Sequence, residues 1–90
     1  MLKRISFKVE GRVQGVFFRD TTVRNAQTNG LTGWVRNESD GSVAGEAQGP
    51  PPKLDAFVEY LHQGPRAARV EKVDTKELSV RDDEQGFKQK

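Results

Sequence analysis

Apolar and polar positions alternate at the start of the chain. Ile5, Phe7 and Val9 are interleaved with Ser6, Lys8 and Glu10, the period-two pattern of a strand with one buried face. A glycine-bracketed turn follows, from Gly11 to Arg19. Thr21 and Thr22 then lead into Val23 and Ala26, with Gly30 as a stop, so a helix is predicted over about 20–29. Its apolar stripe is thin: Phe18, Thr22, Val23 and Ala26 share a face only if the helix begins near Phe18. Leu31 to Asn37 reads as a second strand, and Glu38-Ser39-Asp40-Gly41 as a hairpin turn. Ser42 to Gln48 returns as a third strand, with Val43 and Ala47 on one face.

Gly49-Pro50-Pro51-Pro52 breaks the sheet and sets up a helix start, where proline is tolerated in the first turn. Leu54, Phe57, Val58 and Leu61 then fall at i, i+3, i+4 and i+7, the clearest helical stripe in the chain, predicted over about 53–63 and ended by Gly64-Pro65. These four should pack on Phe7, Val9 and Val35. Ala68 to Asp74 gives a fourth strand with weaker alternation. Phe87 anchors a short final one after the polar run Arg81 to Gln85. The order is β-α-β-β-α-β, which predicts an α+β ferredoxin-like sandwich: a four-stranded antiparallel sheet with two helices on one face. No linker or repeat divides residues 1–90, so one domain is expected. The fold alone does not decide function.

Composition narrows the chemistry. With 33% apolar and 31% charged residues, the chain reads as a water-soluble globular protein, and no apolar run approaches the roughly 20 residues that span a bilayer. Nothing behind Met1-Leu2-Lys3-Arg4 resembles a secretory h-region, so a cytoplasmic location is expected. There is no cysteine and a single histidine, His62, which removes thiolate nucleophiles and disulfides and disfavours zinc. Chemistry must therefore use oxygen, amide and guanidinium groups. The net charge of +2 can attract anions but does not choose among them.

Two places stand out. The glycine-containing loop from Gly11 can turn several amides toward one point at a helix start, and Arg19 at its end carries a planar fork that matches two phosphate oxygens. On physics alone, such glycines equally well serve only the turn. Asn37 ends a strand just before the hairpin, where its amide can orient a water molecule; an asparagine before a turn is also commonplace. His62 reads as a helix-end or surface residue, Asp20 as a helix-start carboxylate, Glu38 and Asp40 as turn residues, and Trp34 as a packing residue.

Gly11-Arg12-Val13-Gln14-Gly15-Val16-Phe17-Phe18-Arg19 closely resembles the acylphosphatase signature G-x-V-Q-G-V-x-F-R. Gly30-Leu31-Thr32-Gly33-Trp34-Val35-Arg36-Asn37, followed by Asp40-Gly41-Ser42-Val43, resembles the second signature of that family. The likeness extends through Gly49-Pro50, Leu61 to Pro65 and Ala68 to Val70, over roughly residues 5 to 87. It implies the same ferredoxin-like fold and hydrolysis of acyl phosphates to a carboxylate and inorganic phosphate. It implies that Arg19 and the backbone amides of Gly15, Val16, Phe17 and Phe18 bind the phosphate, while Asn37 holds the attacking water. Neither metal nor cofactor is implied. The partner would be a small acyl phosphate, with no nucleic acid and no membrane, and the enzyme a monomer.

Two features depart from the family's pattern. Members commonly close with an alternating apolar strand beyond the position of Phe87, whereas Lys88-Gln89-Lys90 stands here, so the last strand should be weakly held. The run Arg24 to Asn29 is unusually polar for the first helix, which should be thinly packed. Two other classes remain to be weighed. An RNA-binding sheet would need basic and aromatic residues in register, which Lys8 and Lys72 lack. A non-catalytic phosphate-binding domain would not need both Arg19 and Asn37.

Overall fold

The computed structural model describes residues 1–90. In chain order its elements are β1 (Lys3–Arg12), α1 (Phe18–Thr28), β2 (Thr32–Asn37), β3 (Val43–Gly49), α2 (Pro51–Gln63), β4 (Arg69–Leu78) and β5 (Phe87–Gln89). The sheet order is β4-β1-β3-β2-β5. The expected four-stranded antiparallel sheet is present in the first four of these strands, since β1 pairs antiparallel with both β3 and β4, and β2 with β3. The short strand at Phe87 joins it as a fifth, parallel to β2 through Gly33↔Phe87 and Val35↔Gln89.

The alternation in β1 works as the pattern predicts. Ile5, Phe7 and Val9 are buried in one cluster with Val35, Val43 and Ala47 from the neighbouring strands and with Phe18, Ala26, Leu54, Phe57 and Leu61 from both helices. Burial of this apolar surface is the main favourable term in folding. Phe57 meets Phe7 edge-on at 5.4 Å between ring centres and lies 5.8 Å from Phe87, so one aromatic column ties α2 to the centre and to the far edge of the sheet. Val58, expected to be buried with the others, is only half-buried. It sits on the flank of the α2 stripe, bordering a groove with Ile5 and Thr75.

Helix α1 begins at Phe18 rather than at residue 20, which meets the condition its thin stripe imposed: Phe18, Thr22 and Ala26 are its buried positions, spaced i, i+4, i+8 on one face. It ends where Gly30 takes a left-handed φ of 68°. There the Leu31 amide donates to the Ala26 carbonyl and the Gly30 amide to that of Gln27, a closing motif that favours glycine at this position. Strand β4 runs four residues beyond the expected Asp74, because its backbone stays in register with β1 as far as Arg4↔Leu78. Between Glu10 and Gly11 that register slips. At Gly11 a Cβ would come within 2.1 Å of the Arg69 carbonyl oxygen, so a side chain cannot follow this bend.

Since β4 and β5 lie on opposite edges, residues 79–86 must cross the sheet. Arg4 holds that crossing. Its side chain, on the sheet face away from the helices, is 1% exposed. Its Nε donates to Glu46 at 2.9 Å and its Nη1 and Nη2 to the two carboxylate oxygens of Glu84 at 2.7 and 3.2 Å. Gln48 adds a pair of bonds to the backbone N–H and carbonyl of Arg81. The bidentate bond from Arg4 holds the Glu84 carboxyl below the ordinary glutamate range. A depressed folded-state pKa contributes stability that is complete above the unfolded value, about 4.3, and is lost as pH falls below it. Glu84→Gln should therefore cost about 1–3 kcal/mol at pH 7, and the gap to the parent should narrow by pH 3.5. Urea midpoints at the two pH values check this; an equal gap at both would mean that the ion pair carries none of the acid sensitivity.

Candidate active site

Bulged out of the β1–β4 ladder at Gly11, the chain runs through Val13 to Phe17 before α1 begins. Val13 is buried and pins the loop to the core, as does the half-buried Val16 packed against it. Phe17 takes a left-handed φ of 61° and is 77% exposed, an uncommon backbone for a side chain that is not glycine and a mark of local strain. Its carbonyl accepts from both the amide and the hydroxyl of Thr21, which holds this bent residue against the first turn. With the chain so turned, the amides of Gly15, Val16, Phe17 and Phe18 donate to no acceptor in the protein. Four unpaired donors next to a helix start, with its partial positive charge, form a concave anion-attracting surface.

On the other side, Asn37 ends β2 on the same face as Val35, the face that meets the helices. Gln14 connects the two sides: its Nε2 donates to the carbonyls of Glu38 at 2.7 Å and Ser42 at 2.9 Å, so the loop is tied to the hairpin that carries Asn37. The hairpin has its own clasp. Asp40 accepts from the Ser42 amide at 2.9 Å and hydroxyl at 2.6 Å, and Lys8 Nζ lies 2.9 Å from its other oxygen. The Ser42 hydroxyl and Lys8 together push the Asp40 carboxyl far below the usual carboxylate range.

Loop, helix start and strand end enclose an open cavity of about 340 Å³, lined by Val13, Gly15, Phe17, Phe18, Arg19, Asp20, Asn37 and Gln89. Five of the six expected site residues thus line one space. The sixth, Val16, is not among the lining residues; its half-buried side chain packs against the core. Arg19 is half-buried and enters none of the ion pairs of the chain, so its guanidinium is uncompensated. The Oδ1 of Asn37 is the one buried side-chain polar atom without a hydrogen-bond partner. An unpaired buried acceptor costs about 1–3 kcal/mol, and such orphans concentrate where a ligand or water completes them. An unpaired cation, unpaired amides and an orphan acceptor can together bind a tetrahedral oxyanion and hold a water beside it.

Asp20, read as a helix-start carboxylate, does lie in the first turn of α1, but it also lines the cavity. Gln89 went unnoticed in the sequence; it reaches the site because β5 lies beside β2. No group of three or more histidine, cysteine, aspartate and glutamate side chains is placed to hold a metal ion. His62 is exposed at the end of α2, away from the cavity. Trp34 lies half-buried on the outer sheet face between the cations of Arg36 and Lys90, 4.9 and 4.7 Å from its ring centre. No helix is long and apolar enough to cross a membrane.

A family model described as Acylphosphatase matches residues 5–89. An acylphosphatase of Salinibacter ruber is 52% identical over 86 residues, covering 96% of this chain and 90% of that protein. Among solved structures, an acylphosphatase from Coxiella burnetii superposes with a TM-score of 0.94 at 37% identity, covering 99% of this chain and 93% of the other. The acylphosphatase from Bacillus subtilis gives a TM-score of 0.91 at 35% identity, covering 98% and 97%.

Proposed function

The chain belongs to the acylphosphatase family, and from that premise we propose that residues 1–90 form one acylphosphatase domain in which Arg19 and Asn37 perform the hydrolysis. The observation that carries this assignment is the pairing, in one cavity, of an uncompensated guanidinium with the orphan Oδ1 of Asn37. The phosphoryl group sits on the amides of Gly15 to Phe18, with two of its oxygens on the Arg19 fork. Asn37 accepts a hydrogen bond from a water and turns the water's lone pair toward phosphorus.

The reaction asks little more. The leaving group is a carboxylate whose conjugate acid has a pKa near 4, so no general acid is required to expel it. Phosphoryl transfer runs through a loose transition state in which positioning and charge stabilisation carry most of the catalysis. The water oxygen bonds to phosphorus while the acyl oxygen departs with its electron pair. An amide is no base, so the water's proton passes to an oxygen of the phosphoryl group itself. Neither metal nor cofactor takes part, the substrate is a small molecule rather than a nucleic acid, and the enzyme acts as a cytoplasmic monomer.

Benzoyl phosphate, incubated with the pure protein with and without EDTA, tests this reading. Loss of the anhydride at the same rate in both samples is the expected result. Binding of phosphate without hydrolysis would make the chain a phosphate-binding domain instead, and loss of activity in EDTA would require a metal.

A further inference from the structure

Once the phosphoryl group occupies the amides and Arg19, the remaining wall of the cavity is left to the acyl group, and that wall carries a negative charge. Asp20 is the one carboxylate among the lining residues. Gln89 Nε2 donates to its Oδ1 at 2.8 Å, which favours the conformer seen here. Gln89 is itself anchored: the buried Phe87 precedes it, and the following amide, of Lys90, donates to the Val35 carbonyl at 2.8 Å. Beside this charge stands the exposed ring of Phe17, an apolar surface at the cavity rim.

We propose that Asp20, held by Gln89, sets the acyl-group preference of the site: apolar or cationic acyl groups are taken over those that carry a second anion. The inference rests on the phosphate-site reading above. Every substrate brings the same phosphoryl charge, so its interaction with Asp20 cancels when two substrates are compared. A carboxylate on the acyl group does not cancel, and Arg19, engaged by the phosphoryl oxygens, cannot neutralise it. Across a cavity of this size two like charges lie on the order of 7 Å apart, and in a water-like dielectric their repulsion amounts to about threefold in relative rate.

Benzoyl phosphate and 4-carboxybenzoyl phosphate share one ring and differ in one remote charge, so the ratio of their kcat/KM values isolates the effect. The parent should favour benzoyl phosphate, and Asp20→Asn should shrink the ratio by about threefold. Gln89→Ala, which releases the carboxylate, should shrink it part of the way, as should raising the salt to 0.5 M. Asp55→Asn, the same charge change on the exposed side of α2, should leave the ratio alone. A ratio unmoved by Asp20→Asn, or moved equally by Asp55→Asn, overturns the proposal while leaving the phosphate site intact. A parent that hydrolyses neither compound overturns both.

Discussion

Arg19→Lys should yield a folded protein whose turnover of benzoyl phosphate is lower by about 10²–10³-fold and which inorganic phosphate inhibits far more weakly. Lysine preserves the charge, so electrostatic attraction into the cavity survives. It loses the planar fork, and with it one of two parallel contacts to the phosphoryl oxygens. The geometry gives no reason for a folding defect, because Arg19 holds no carboxylate of the chain and its neighbour Phe18 supplies the buried anchor of the helix start. Stability within about 0.5 kcal/mol of the parent is expected. Circular dichroism, a urea melt and a phosphate titration alongside the rate separate the possibilities. A lysine protein that stays active and phosphate-sensitive would reduce Arg19 to a surface cation.

Asn37→Ala should separate binding from chemistry. Turnover should fall by about 10²-fold while inhibition by inorganic phosphate stays close to that of the parent, because the amide holds the water and the loop holds the anion. The variant should stay close to the parent in stability, since the Oδ1 removed holds no group of the chain itself. Unchanged stability together with a collapse in rate is the signature of a group kept for function. If half the activity remained, Asn37 would be only the residue before a turn.

Most of the sheet was legible because β1, β2 and β3 each bury one face, and burial on one face is what writes alternation into a sequence. Strand β4 was legible only to Asp74. It lies at an edge with little covering it, so beyond Val73 only Leu78 is partly shielded, and its true length is set by backbone pairing that leaves no mark on side-chain pattern. The place of β5 depends on Arg4, Gln48 and Glu84, polar residues that any hydropathy reading assigns to the surface. Gln89 was invisible for the same reason: nothing local announces that residues 79–86 cross the sheet and bring it beside Asp20. Arg19 and Asn37 stood out through their motifs. What pattern could not supply is why they meet, which depends on the Gln14 bonds spanning loop and hairpin.

The interior position of β1 bears on the order in which this protein can assemble. β1 is made before either of its partners and lies between β3 and β4, and one of its pairings, Arg4↔Leu78, joins residues far apart in the chain. Closing so long a loop costs entropy before any contact repays it, which slows folding relative to chains held by local contacts. During synthesis at about 5–20 residues per second, β1 therefore waits several seconds with both hydrogen-bonding edges open. Lys3, Arg4 and Lys8 in that strand, by repelling a second nascent copy, would guard it until β3 and then β4 arrive.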